Sequence, residues 1–203
     1  MKSLYVTQRS AIGDDAFLRL LERLEGADGL TVELRERKTS DSETLRWAEL
    51  ARARLEADVP IFVNRRLDVA LAAKADGVHL PADGLPVSRV RAAAPRGFRV
   101  GVSTHSVEEA VHAIGDGADL VVIGPIFETP SKLAFGPPLG AGILEGLPPL
   151  ETHDSDVFAI GGIDEERLDA MAPFRDRVSG IAAIRLFQET ADPRAVVERV
   201  GRL

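Results

Sequence analysis

The residue pattern most suggestive of chemistry is a histidine delivered by a short apolar run, in the stretch Val100 to Ala110, VGVSTHSVEEA. VGVS reads as a strand, and Thr104, His105 and Ser106 follow it before an acidic, then apolar, helical pattern begins. Ser106 and Glu109 stand in the S-x-x-E relation of a capping box, so the spacing predicts a helix starting immediately after the histidine. His105 is thereby expected at the carboxyl end of a strand. In parallel α/β folds that is the ligand-binding side. An imidazole there is suited to moving protons near neutral pH.

A second set of residues suits anion binding. Gly161 and Gly162 directly follow an apolar strand and precede a segment opening at Asp164, which lets backbone N–H groups approach an anion. The last strand candidate ends at Ile184 and Arg185, and in a closed barrel that end lies beside the glycine pair, where phosphate is often held. Arg185 would add charge-assisted hydrogen bonds. Arg35 and Arg37 follow one strand candidate, Asn64, Arg65 and Arg66 follow another, and Lys132 lies in a long loop. Such cations at strand ends favour an anionic ligand, although rim salt bridges with Glu33, Glu36 or Asp68 account for some equally well. His79 lies inside an apolar strand and reads as structural, His112 is mid-helix, and His153 sits in a polar loop. No His–carboxylate spacing suits a metal, and no metal site is expected from the residues themselves.

The elements that position these residues alternate between short apolar runs and amphipathic segments. Strands are expected at Ser3–Thr7, Leu30–Arg35, Pro60–Asn64, Gly77–Leu80, the VGVS run, Leu120–Pro125, Val157–Ile160 and Gly180–Ile184. Helices are expected at Asp14–Ala27, Asp41–Ala57, Asp68–Ala75, Val87–Ala94, after Ser106, at Asp164–Met171 and at Asp192–Leu203. Asp41 or Ser42 is the expected cap of the second helix, and Trp47 is expected to pack against a neighbour. Ile126 to Ala141, rich in Pro and Gly, reads as a mobile active-site loop. Eight β/α units in one chain predict an α/β fold, a single (β/α)8 TIM barrel over residues 1–203, with an open doubly wound sheet as the alternative.

Composition narrows the partners. The 203 residues carry a formal net charge of −7, which gives no overall attraction to nucleic acid or anionic membrane. With no cysteine there is no thiolate nucleophile, disulfide or cysteine metal site, which suits a cytoplasmic location. The N-terminus lacks a signal-peptide core, and no apolar run approaches the roughly 18 residues of a membrane span.

Four ordered blocks, FVNRRLDVALAAKADGVHLP, GVSTHSVEEA, ADLVVIGPIFETPSK and AIGGI, resemble the thiamine phosphate synthase/TenI superfamily over roughly residues 30 to 190. The resemblance implies a barrel that handles a thiazole phosphate and two candidate activities. Synthases join a pyrimidine diphosphate to thiazole phosphate with Mg²⁺ and expel pyrophosphate. Their Q-L-R-E-K pattern is matched by Glu33 to Arg37. Their N-D-R pattern keeps Asn64 but has Arg65 at the metal-binding Asp, and their G-Q-x-D carboxylate is replaced by Gly84, with Asp83 one position away. Ser103, Thr129 and Lys132 match contacts to the pyrophosphate or pyrimidine, and Gly162 matches the thiazole phosphate site. TenI proteins are metal-free thiazole tautomerases with an S-V-H-S segment that resembles Ser103 to Ser106.

The weakened metal end makes a TenI-like tautomerase the leading expectation, with His105 as general acid/base and no cofactor. Arg35, Arg37 or Lys132 would hold the substrate carboxylate, and Gly161, Gly162, Ile184 and Arg185 the phosphate. Thiamine phosphate synthase, using Mg²⁺, is the first alternative; a non-catalytic phosphate-ligand regulator is the second. The expected partner is a small thiazole phosphate, with homo-oligomerisation left open.

Overall fold

The computed structural model describes residues 1–37, 39–129 and 137–203. Eight strands, β1 (Lys2–Val6), β2 (Leu30–Leu34), β3 (Ile61–Asn64), β4 (Gly77–Leu80), β5 (Arg99–Thr104), β6 (Leu120–Ile123), β7 (Asp156–Ile160) and β8 (Gly180–Ala183), pair in chain order. Every neighbouring pair is parallel. β8 closes on β1 with Gly180 opposite Lys2 and Ala183 opposite Tyr5, so the sheet is a closed barrel. The closure decides against the open doubly wound sheet.

Parallel strands buried on both faces need apolar side chains on both. The outward positions pack beneath the helices, joining Tyr5, Val32, Val63, Val78, Val100, Val121, Val157 and Ile181 to the helical faces. The inward positions make a separate, smaller cluster of Leu4, Val6, Phe62, Leu120, Val122, Phe158 and Ala182. Its two large rings fit because glycines face them. A Cβ on Gly77 would stand 2.5 Å from the Phe62 ring, and one on Gly180 2.8 Å from the Phe158 ring. Such contacts exceed what real packing tolerates, so small and large residues must alternate around the interior.

The helices are α1 (Arg9–Ile12), α2 (Asp14–Arg23), α3 (Asp41–Arg52), α4 (Leu67–Ala72), α5 (Val87–Ala93), α6 (Val107–Gly115), α7 (Arg185–Gln188) and α8 (Pro193–Gly201). α2 buries Phe17, Leu20 and Leu21 on one face. α3 is capped by Ser40 rather than Asp41 or Ser42. The Glu43 N–H donates to Ser40 Oγ (3.2 Å), and the Ser40 N–H donates to Glu43 Oε2 (3.4 Å). Trp47 is buried edge-on against Phe17, with ring centroids 5.7 Å apart.

Several expected helices are shorter, for local reasons. α3 ends at Arg52, whose guanidinium donates to the carbonyls of Glu56 and Val59 in the turns that follow. The segment expected to be helical from Asp164 is instead a turn followed by a 3₁₀ helix, Leu168–Phe174. Asp164 Oδ1 accepts from the Arg167 N–H (3.0 Å), and Pro173 removes a helix donor. The ends of the expected loop are fixed: the Ile126 N–H donates to the Ile160 carbonyl and the Gly140 N–H to the Ile126 carbonyl. The centre of that loop lies outside the described residues. Among the described residues, no helix is long and apolar enough to cross a membrane.

Candidate active site

Strand alternation explains how the site assembles. Glu33 on β2, Asn64 on β3, His79 on β4 and Ser103 on β5 interlink across four consecutive strands, in line with inward-facing positions. Asn64 Nδ2 donates to Glu33 Oε1 at 2.8 Å. His79 Nε2 and Ser103 Oγ are hydrogen-bonded at 2.8 Å, and His79 Nδ1 lies 3.6 Å from Glu33 Oε2. Glu33 and His79 are almost fully buried, at 3% and 1% exposure. Burial pushes the His79 pKa down, partly opposed by nearby Glu33 and reinforced by Arg35, so the ring is neutral at pH 7. A Cβ on Gly101 would stand 2.8 Å from His79 Nδ1, so the small residue on β5 is what admits the imidazole.

Sequence reasoning left Glu33 and His79 out of the site. The signal available was parity: each lies two or a multiple of two residues from an inward glycine or polar residue on the same strand. Asn64 and Ser103, both expected at the site, are brought together with them.

Above this cluster the rim is cationic. Arg35 is half-buried, and its N–H donates to Thr7 Oγ1 at 3.0 Å. Thr7 donates in turn to Glu36 Oε1 at 2.5 Å, and Glu36 also accepts from the Arg9 N–H. Burial lowers the Arg35 pKa, and the like charge of Arg37 lowers it further against the opposing pull of Glu33 and Glu36. Arg37 is exposed. Arg65 is also exposed and adopts φ +67°, a left-handed conformation uncommon for a residue with a side chain. Its N–H donates to the His79 carbonyl at 2.7 Å. Among the described residues Arg35, Arg37 and Arg65 form no ion pair, whereas Arg66 is paired with both Asp41 and Asp68. The rim-salt-bridge reading therefore holds for Arg66.

His105 is exposed and tied down at both ends. Its backbone N–H donates to Glu109 Oε2 at 2.7 Å, and Ser106 Oγ accepts from the Glu109 N–H at 3.1 Å, so the cap reaches one residue further back than a capping box. Its Nδ1 lies 2.7 Å from the Gly124 carbonyl. A carbonyl only accepts, so Nδ1 carries the proton in this bond. That link joins the ends of β5 and β6.

Gly161 and Gly162 have φ of +105° and +64°. A Cβ on Gly162 would stand 2.5 Å from the Glu128 carbonyl oxygen, and one on Gly161 2.7 Å from Pro125 Cα. The pair is thus required for the segment after β6 to cross closely, whatever else it binds. Gly162 and Ile184 each lie two residues beyond the paired Ile160 and Ala182. Ile184 is half-buried, and Arg185 is exposed at the start of α7. The Gly162 carbonyl accepts from Arg167 Nη1 at 2.7 Å, a cation that sequence reasoning did not place here. Thr129 is half-buried, and its hydroxyl has no partner among the described residues. Lys132 lies outside the described residues. His112 is exposed on α6, and His153 has both ring nitrogens buried with no hydrogen-bond partner among the described residues.

A profile of the family described as thiamine monophosphate synthase matches residues 4–187. The chain belongs to that family. A Geobacter sulfurreducens relative named putative thiamine-phosphate synthase is 38% identical over 95% of this chain and 89% of its own. A Methanoculleus marisnigri thiamine-phosphate synthase is 39% identical over 89% and 86%. Among solved structures, thiamine phosphate pyrophosphorylase from Pyrococcus furiosus superposes with a TM-score of 0.77 at 27% identity, covering 99% of this chain and 94% of that one. These synthase names, shared across distant organisms, overturn the expectation of a TenI-like tautomerase. That expectation weighed the missing carboxylates more heavily than the blocks common to the whole superfamily, and His105 belongs to a block that does not separate the two activities.

Proposed function

We propose that this chain joins a hydroxymethylpyrimidine diphosphate to a thiazole phosphate, forming thiamine phosphate and releasing pyrophosphate. The observation that carries the reading is a cationic rim, Arg35, Arg37 and Arg65, set at the ends of strands that hold the buried Glu33 and His79 and the half-buried Asn64 and Ser103. The names of the family relatives support it.

In the reaction the C–O bond between the pyrimidine methylene and the diphosphate breaks, and its electron pair leaves on pyrophosphate. The thiazole nitrogen supplies the pair for the new C–N bond and becomes quaternary. No proton is transferred at the reacting atoms, so His105 has no acid/base task. Its ring ties β5 to β6 instead. The rim arginines hold the diphosphate and stabilise the charge that develops on it. Ser103, fixed by His79, donates to an anionic oxygen. Gly162, Ile184 and Arg185 flank the thiazole phosphate, and Thr129 and Lys132 serve the pyrimidine diphosphate side.

The family resemblance implies Mg²⁺, but the residues present do not fit it. Mg²⁺ is held by carboxylate oxygens in octahedral order. A guanidinium stands at Arg65, Asp83 is exposed, and among the described residues no three His, Asp or Glu side chains gather as a metal set. No step above runs through a metal.

The test is incubation with both substrates and measurement of thiamine phosphate and pyrophosphate. Stoichiometric appearance of both supports the reading. Binding of both substrates without either product refutes it.

A further inference from the structure

We propose that Arg65, together with Arg35 and Arg37, forms a diphosphate site that works without a divalent metal, the guanidinium groups taking over neutralisation of the leaving group. The inference rests on the synthase reading and deepens it.

Three observations carry it. Arg65 follows Asn64 directly, at the strand end nearest the buried cluster, and holds φ +67°, which glycine tolerates and arginine does not favour. Two backbone bonds impose that shape: the Arg65 N–H to the His79 carbonyl at 2.7 Å, and the Arg66 N–H to the Asn64 carbonyl at 2.9 Å. A strained arginine kept at a site mouth points to a use for its side chain. Next, adjacent arginines are treated in opposite ways. Arg66 is neutralised by Asp41 and Asp68, while Arg65, Arg35 and Arg37 have no acidic partner among the described residues. Finally, Arg35 is half-buried beside a like charge, an arrangement that an incoming multivalent anion would relieve. A diphosphate suits several guanidinium groups better than a single phosphate does, because each fork takes a separate pair of oxygens.

Bond changes are those already described. The C–O electron pair leaves on pyrophosphate, and the arginines remain protonated throughout.

The experiment measures inorganic pyrophosphate binding by calorimetry, and turnover of both substrates, each in EDTA and in Mg²⁺. Pyrophosphate is expected to bind equally well in both buffers. Arg65→Gly, which relaxes the backbone, should weaken binding in EDTA by about tenfold, and Arg65→Lys should recover part of it. Arg96→Ala, before β5 at the opposite end of the barrel, should bind like the unmodified protein. Binding that requires Mg²⁺, or unchanged affinity in Arg65→Gly, would overturn the inference. Turnover only with Mg²⁺ would also sink it while leaving the synthase reading intact. Metal-free pyrophosphate binding without product in either buffer would do the reverse.

Discussion

The barrel interior has two unlike halves. From β6 through β8 to β1 the inward side chains include Leu120, Val122, Phe158, Ala182, Leu4 and Val6, which with Phe62 of β3 form one apolar cluster. From β2 to β5 the strands also contribute Glu33, Asn64, His79 and Ser103, in two hydrogen-bonded pairs, Glu33 with Asn64 and His79 with Ser103, with His79 Nδ1 lying 3.6 Å from Glu33 Oε2. The same barrel geometry serves both. The apolar half contributes stability through burial, on the order of 1.5–3 kcal/mol per large side chain. Buried polar groups contribute little net stability even when paired and are costly when unpaired. A half-barrel of them is therefore better explained by ligand recognition than by folding.

Substitutions can break this contrast. The largest expected effect is in the apolar half. Phe158→Ala removes a fully buried ring facing Gly180 and should lower unfolding stability by about 3–5 kcal/mol in chemical denaturation, with kcat of the folded protein unchanged. If kcat falls as well, the halves are not separable. Asn64→Ala in the polar half leaves Glu33 Oε1 without its donor, costing about 1–3 kcal/mol and reducing turnover disproportionately. Arg65→Gly should be stabilising by about 1 kcal/mol, since glycine is at ease at φ +67°, while its pyrophosphate affinity drops.

The smallest effect at neutral pH is on pH dependence. His79 has a folded pKa below the unfolded 6.5 because burial disfavours the imidazolium. Below 6.5 the unfolded chain therefore binds a proton that the native state refuses, and stability declines as pH falls through that region. His79→Gln should flatten this part of the stability curve. An unaltered slope would show that His79 is not its source.

Much of this was legible in the sequence because strands announce themselves. All eight strand positions and the barrel class follow from apolar runs separated by amphipathic segments, since burial on both faces leaves little choice of residue. Helix ends were less legible: Ser40 rather than Asp41 caps α3 through Glu43, and α3 stops at Arg52, whose guanidinium holds the Glu56 and Val59 carbonyls of the segment that follows. The site was half visible. Charged residues at strand ends, such as Arg35, are conspicuous in a sequence. Glu33 and His79 were not, because each looks like an interruption of an apolar run until the closed barrel shows that both face the same interior. Function was misweighted for a related reason. The loss of two carboxylates was read as loss of the reaction, although cations at the same rim can meet the same electrostatic need.

The most direct test of the central claim is a side-by-side assay of the unmodified chain and Ser103→Ala with pyrimidine diphosphate and thiazole phosphate, following thiamine phosphate over time. The unmodified chain should form thiamine phosphate and pyrophosphate in equal amounts. Ser103→Ala, assayed where both proteins are folded, should do so about 10²-fold more slowly, as expected when one donor to developing anionic charge is removed. It should also lose about 1–3 kcal/mol of stability, because the buried His79 Nε2 loses its partner. Equal rates in the two proteins would contradict the claim that the polar half of the barrel performs the chemistry.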